Sequence, residues 1–180
     1  GNRTGMHDST GRCTVTFDAL NRVTQYRTPF TNVLTYVYDA VGMRTRLWES
    51  SAGRYTYSYD AANQLTRIVN TGSVTTTFVY NDAGQRTILR HANGTRTSYS
   101  YDAAGQTTQI FHRKSTGVSL LQLDYRYDNA GNRRVLIEDA GAARVTWAYD
   151  PQNQLIGENR TGTNAYRNTF TYDAAGNRTL

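Results

Sequence analysis

The sequence predicts an all-β fold of repetitive antiparallel β-hairpins forming a coiled, β-solenoid-like sheet, and three observations carry that expectation. First, an aromatic residue followed by an acid or its amide recurs eight times, at Phe17-Asp18, Tyr38-Asp39, Tyr59-Asp60, Tyr80-Asn81, Tyr101-Asp102, Tyr127-Asp128, Tyr149-Asp150 and Tyr172-Asp173. The first five stand 21 residues apart and the later gaps are 26, 22 and 23. A fixed period near 20 marks stacked supersecondary units, none of which buries its apolar face alone. Second, apolar and polar residues alternate ahead of each pair. Third, Thr and Tyr are abundant, Pro occurs twice, Lys114 is the one lysine, and no long helical pattern is present, a composition that suits strands.

Each repeat reads in order as strand, corner, strand and return turn. Tyr55, Tyr57 and Tyr59 fall on one face and Thr56 and Ser58 on the other; Val145, Trp147 and Tyr149 oppose Arg144, Thr146 and Ala148; Leu121, Leu123, Tyr125 and Tyr127 oppose Gln122, Asp124 and Arg126. Period two with one polar face argues for half-buried antiparallel strands. Counting the aromatic as position zero, position four is Asn21, Gly42, Asn63, Gly84, Gly105, Gly131, Asn153 or Gly176. Gly and Asn tolerate positive φ best, so this position needs a left-handed backbone. The acid at position one accepts backbone N–H groups as an Asx-turn does. Eight copies make turn capping, not catalysis, its role.

After the corner runs a second strand, as in 64–69, 85–89 and 132–137. Position seven is often Thr (Thr24, Thr45, Thr66, Thr87, Thr108, Thr179) and position nine large and apolar (Tyr26, Leu47, Ile68, Leu89, Ile110, Leu136). In a regular strand the two share a face. Position six carries Arg44, Arg86, Arg133 or Arg178 in some repeats and Val23, Leu65 or Leu155 in others. A site accepting both suggests an Arg stem that packs while its head reaches water or a carboxylate. Asn93-Gly94 signals a return hairpin of the type I′ kind, and Ser51-Ala52-Gly53, Thr71-Gly72-Ser73, Ala140-Gly141 and Thr161-Gly162 are comparable. The unit beginning at Tyr101 is five residues longer than its predecessors and carries 111–114, Phe-His-Arg-Lys, read as an enlarged hairpin tip. Residues 1–180 form a single array of about eight repeats. It opens on Gly1-Asn2-Arg3-Thr4 and closes on Gly176-Asn177-Arg178-Thr179, the same phase of the repeat, and so reads as a fragment of a longer chain.

Composition and motifs exclude much chemistry. No apolar run approaches the roughly 18 residues of a membrane-spanning helix, so no membrane insertion is expected, and no signal peptide opens the chain. The net charge of +6 comes from Arg spread along the repeats, without the concentrated patch that nucleic acid requires. Cys13 is the one cysteine; it excludes an intrachain disulfide and reads as packing on the apolar face. His7, His91 and His112 have no companions at metal-ligand spacing. There is no phosphate loop and no Gly-x-Ser-x-Gly elbow, and no carboxylate pair stands out as an acid/base couple. The expectation is a chain without catalytic, metal or cofactor residues. Asn-x-Thr at Asn2, Asn93, Asn159 and Asn177 is incidental to the repeat phrase. The aromatics offer an alternative, a glycan-stacking surface with Trp48 and Trp147 as its first candidates, against a reading of the aromatics as core and ladder residues.

The phrase Tyr-Asp-x-x-Gly-Asn/Gln-Arg/Leu-Thr, seen with small variations at 38–45, 59–66, 80–87 and 172–179, resembles the YD repeat, also called the Rhs (rearrangement hot spot) repeat. That family includes Rhs and polymorphic toxins, shell components of Tc toxin complexes, wall-associated proteins and teneurins. The resemblance covers essentially the whole chain. It implies a spiralling β-sheet that closes, in long members, into a hollow shell around a C-terminal toxin or loop. It also implies an extracellular or cell-surface setting and, as partners, the rest of the shell and its cargo. The chain departs from the pattern: it is far shorter than a shell and lacks the Pro- and Asp-containing core motif. Phe17 replaces one Tyr and Asn81 one acid. Encapsulation is therefore implied for the parent rather than for this piece. The expected function is a non-catalytic scaffold, with a glycan- or wall-binding module as the alternative. A single-layer sheet leaves its aromatic face in need of cover, so coiling onto itself or self-association through that face or the sheet edges is expected.

Overall fold

The computed structural model describes residues 1–30 and 32–179, which fall into two compact units, Gly1–Val79 and Tyr80–Leu180. The first contains β1 (Gly5–Asp8), β2 (Gly11–Phe17), β3 (Val23–Arg27), β4 (Val33–Tyr38), β5 (Arg44–Glu49), β6 (Gly53–Tyr59), β7 (Leu65–Val69) and β8 (Thr75–Tyr80). Each strand pairs antiparallel with the next in chain order. The second contains β9 (Arg86–Arg90), β10 (Arg96–Tyr101), β11 (Thr107–Arg113), β12 (Ser119–Tyr127), β13 (Arg133–Glu138), β14 (Ala143–Tyr149), β15 (Leu155–Gly162) and β16 (Tyr166–Thr169). These too pair antiparallel in chain order. Among the described residues the one helical element is a single 3₁₀ turn at Asp139–Gly141. The all-β, hairpin-by-hairpin architecture is the one the repeat period predicts.

Neither unit has a conventional core. The buried apolar side chains among the described residues are Ala143 and Val145, at 2% and 3% exposure. Among the described residues Thr97, at 4%, is the one buried polar residue, and its Oγ1 lies 2.8 Å from His112 Nδ1. The aromatic-face tyrosines are half-buried, so within each unit that face is not covered. Stability must come from the ladders, from cross-strand pairs and from the corners.

Four sequence expectations change at the level of register and turn. The residue after position six is extra: Tyr38 pairs with Arg44 and Val37 with Arg46, leaving Thr45 in a bulge. The same slip passes over Thr24, Thr66, Thr108, Arg134 and Ile156. Positions seven and nine therefore do not share a face. Thr24 turns toward Thr16 on the polar side, Oγ1 to Oγ1 at 3.0 Å, and Thr171 and Thr179 meet likewise at 2.7 Å. The bulge instead brings position six onto the aromatic face. Second, Asn93-Gly94 does not form a two-residue type I′ turn. His91 N–H donates to Thr95 O and Gly94 N–H to His91 O, both at 2.9 Å, and Gly94 alone is left-handed (φ +80). This three-residue loop with one bulged glycine is the corner geometry used again. In the 70–74 return the left-handed residue is Ser73 (φ 59), not Gly72. Third, the additional residues of the longer unit lengthen strands rather than a tip. Phe111, His112 and Arg113 lie in β11, facing the nine-residue β12, and Lys114–Gly117 makes the ordinary turn. The fourth change, at the position-six arginines, follows from the bulge.

Candidate functional site

The eight corners share one construction. The acid or amide N–H donates to the carbonyl four residues on, and the position-four N–H donates back to the acid's carbonyl, at 2.9–3.2 Å. Every position-four residue has positive φ: Asn21 60, Gly42 94, Asn63 60, Gly84 76, Gly105 80, Gly131 87, Asn153 63 and Gly176 82. The side-chain Oδ1 then accepts two more backbone N–H groups. Asp18 takes those of Leu20 and Arg22, both at 2.9 Å. Asp39 takes those of Val41 and Met43, and Asp60 those of Ala62 and Gln64. Asp102, Asp128, Asp150 and Asp173 repeat the pattern. Asn81 does so with its amide oxygen, at 3.1 and 2.9 Å. A hydrogen-bonded carboxylate ionises more readily. The Arg22 N–H and side chain hold Asp18 below the ordinary carboxylate range, and the Asn177 side chain and N–H do the same for Asp173. At Asp128, desolvation pulls upward, and the bonds from Asn132 and Ala130 outweigh it.

The aromatic at position zero ties one repeat to the one before it. The hydroxyl of Tyr38 donates to Val23 O at 2.9 Å, Tyr59 to Arg44 O at 2.9 Å, Tyr101 to Arg86 O at 2.7 Å, Tyr127 to Thr107 O at 2.8 Å and Tyr172 to Leu155 O at 2.8 Å. In every case the acceptor is position six of the preceding repeat. Burial raises the Tyr59, Tyr101 and Tyr127 hydroxyls above the usual phenol range. Polar–apolar alternation does not call for this bond. The available signal is that seven of the eight aromatics are Tyr, with a polar tip, and one is Phe.

The position-six arginines lie over aromatic rings. Arg44 lies 4.6 Å from the Tyr57 ring, Arg86 4.8 Å from Tyr99, Arg133 5.3 Å from Trp147 and Arg178 4.2 Å from Phe170. The bulge places them on the aromatic face, where a cation over a ring is attracted by its quadrupole. Arg22, one position earlier, both stacks on Tyr38 at 4.7 Å and pairs with Asp18 at 2.7 Å.

Trp48 and Trp147 do not form one platform. Trp48 is 49% exposed and faces Thr35 and Arg54, on the side of β5 away from Tyr55 and Tyr57. Trp147 lies on the aromatic face of β14, beneath Arg133, and its Nε1 donates to Glu158 Oε1 at 3.1 Å. Glu158 also accepts from Tyr166 OH at 3.0 Å. Nearby, Glu138 and Arg160 form a two-point ion pair at 2.6 and 2.7 Å. Cys13 receives the Tyr26 hydroxyl at 3.4 Å. In the first unit the aromatic face forms a recess of about 530 Å³ lined by Val15, Tyr26, Tyr36, Tyr38, Arg44 and Tyr59. Among the described residues no group of three or more His, Cys, Asp or Glu could hold a metal, and no helix is long and apolar enough to cross a membrane.

The family model described as Teneurin YD-shell matches residues 6–179. Among solved structures, the chain is similar to the crystal structure of TcdB2-TccC3 (TM-score 0.79, 20% identity), covering 99% of this chain and 12% of that one. A second crystal structure, TcdB2-TccC3-TEV, gives a TM-score of 0.78 at 20% identity over 98% of this chain and 11% of that. The Tc holotoxin pore of Photorhabdus luminescens gives 0.71 at 22% identity over 93% and 10%. At these identities the likeness is one of fold, and the chain spans about a tenth of the length of those structures. No curated protein matches the chain in sequence.

Proposed function

Because this chain belongs to the Teneurin YD-shell family and so has a structural shell role, we propose that it is a stretch of shell wall in a longer protein, doing no catalysis, and that the completed wall encloses a C-terminal cargo outside the cell. One observation supports this above the others. The sheet has almost no core, yet at five corners among the described residues a Tyr hydroxyl fastens one repeat to the one before it. A sheet built to fold around its own interior would bury its apolar face; a wall leaves that face toward whatever it lines. The half-buried tyrosines and ring-stacked arginines of the first unit's recess present such a lining. The fold resemblance to proteins whose names carry TcdB2 and TccC3 supports the same reading.

The test uses the full-length parent chain. Limited proteolysis should spare its C-terminal segment while the repeat array is folded and release it once the array is opened by denaturant. Electron microscopy should show hollow particles. Cleavage of the C-terminal segment at native conditions, together with solid or rod-like particles, would reject enclosure and leave only the wall-like fold.

A further inference from the structure

The position-five residues form a second line of contacts that the corners themselves do not need. Asn132 Nδ2 donates to Asn153 Oδ1 at 2.8 Å, across one repeat. Asn2, in the same Gly-Asn-Arg-Thr phrase as Asn177, donates from Nδ2 to Asn21 Oδ1 at 2.8 Å. Gln85 Nε2 donates to Gly105 O at 3.3 Å, and Arg22 Nη1 to Asp39 O at 3.3 Å. In the two asparagine cases the partner is the position-four side chain of the next repeat. For Gln85, Gln106 and Gln154 that position is glycine, and the glutamine fills the space its missing side chain leaves. A Cβ on Gly105 would stand 3.1 Å from Gln85 Nε2, on Gly131 3.0 Å from Gln106 Nε2, and on Gly176 3.1 Å from Gln154 Nε2. Each distance is tighter than ordinary contact.

Two matched pairings therefore recur: a short amide meets Asn, and a long amide meets Gly. We infer that the position-five side chain is a specificity element that determines which repeat can lie next in the sheet. The steric logic is reciprocal. An Asn at position four carries its Cβ and carboxamide into the space a neighbouring Gln would need, and a Gly there leaves a neighbouring Asn one methylene short of its acceptor. Arg22, which precedes Gly42, and Met43, which precedes Asn63, carry no amide and depart from the rule. The inference goes beyond the shell reading, since it holds whatever the wall encloses. It assigns to these residues the task of keeping nearly identical repeats in order, where a sheet of look-alike hairpins would otherwise admit slipped pairings.

Two mutant cycles on the full chain test it, read by the midpoint of urea unfolding. The first comprises Asn132→Gln, Asn153→Gly and the double variant; the second, its reciprocal, comprises Gln106→Asn, Gly131→Asn and their double. Each single change breaks a match and should lower the midpoint. Each double converts one match into the other and should recover at least half of the summed loss. Intrinsic backbone effects of Asn and Gly at position four appear in both single and double variants and cancel in the coupling. Losses that simply add in both cycles would overturn the inference. If a single variant of the first pair does not fold, the reciprocal cycle decides alone.

Discussion

Replacing Tyr101 by Phe removes one oxygen and leaves the ring in place. That oxygen donates to Arg86 O at 2.7 Å, the shortest of the five described clamps. A hydrogen bond of this kind contributes about 0.5–1.5 kcal/mol net, and a carbonyl left wholly dry costs about 1–3 kcal/mol. The residue is half-buried, so water can reach part of the vacated site, and the expected loss is about 1 kcal/mol. Tyr127→Phe removes the equivalent bond to Thr107 O at 2.8 Å. Thr107 is also the cross-strand partner of Tyr101, so the two clamps are neighbours whose losses couple, and the double variant should lose more than either single one without the sum being exact. Tyr55→Phe is the control: Tyr55 lies on the aromatic face, half-buried, and its hydroxyl makes no hydrogen bond among the described residues. Its change should stay within about 0.5 kcal/mol. Urea unfolding of the chain measures all four variants. If Tyr101→Phe and Tyr127→Phe cost no more than Tyr55→Phe, the hydroxyls do not fasten the repeats and the reasoning is wrong.

Two further outcomes follow from the corners. Asp60→Asn should be nearly neutral, because Asn81 makes the same two contacts with an amide oxygen, whereas Asp60→Ala frees the N–H groups of Ala62 and Gln64 and should cost about 1–2 kcal/mol; equal losses in thermal melts would rule out capping as the acid's role. Stability should also fall at both ends of the pH scale: the lowered Asp18 and Asp173 carboxyls contribute above the free carboxyl value of about 3.9 and lose that contribution as pH falls through their folded values, while the raised Tyr59, Tyr101 and Tyr127 hydroxyls contribute fully below about pH 10 and lose it as pH rises through theirs. A pH titration of the unfolding midpoint that stays flat above about pH 10 in the wild type would contradict the alkaline arm.

The corner was legible because its determinants are local. Asp or Asn at position one and Gly or Asn at position four each answer a constraint within five residues, and local turn chemistry leaves its mark on residue type. The all-β class and strand count were legible for the same reason, since alternation reports a half-buried strand directly. The bulge was not, because Thr at position seven suits a regular strand and a bulge equally well. Its evidence lies in the partner strand, where Val37 meets Arg46 and not Thr45. That one-residue slip misdirected the reading of Arg44 and Arg86, whose aromatic partners stand on the next hairpin. The Asn93-Gly94 loop misled for a related reason: the dipeptide fits two hairpin types, and the choice between them rests on His91 and Thr95 closing the loop. The Tyr hydroxyls and position-five amides act across a whole repeat, and a single repeat read alone contains only half of each contact.

The division between what repeats and what varies bears on function. The corner acid, the left-handed residue and the Tyr clamp recur with few exceptions. The residue just before each aromatic is Thr16, Val37, Ser58, Val79, Ser100, Arg126, Ala148 or Thr171, and the residue before that is Val15, Tyr36, Tyr57, Phe78, Tyr99, Tyr125, Trp147 or Phe170. The polar face thus changes freely in size and charge, while the aromatic face keeps ring character in most repeats. The polar face is solvated and free to vary in any half-buried sheet. Here the fastening bonds lie at strand ends and depend little on the side chains between them, so the corners hold the wall together whatever the polar face carries.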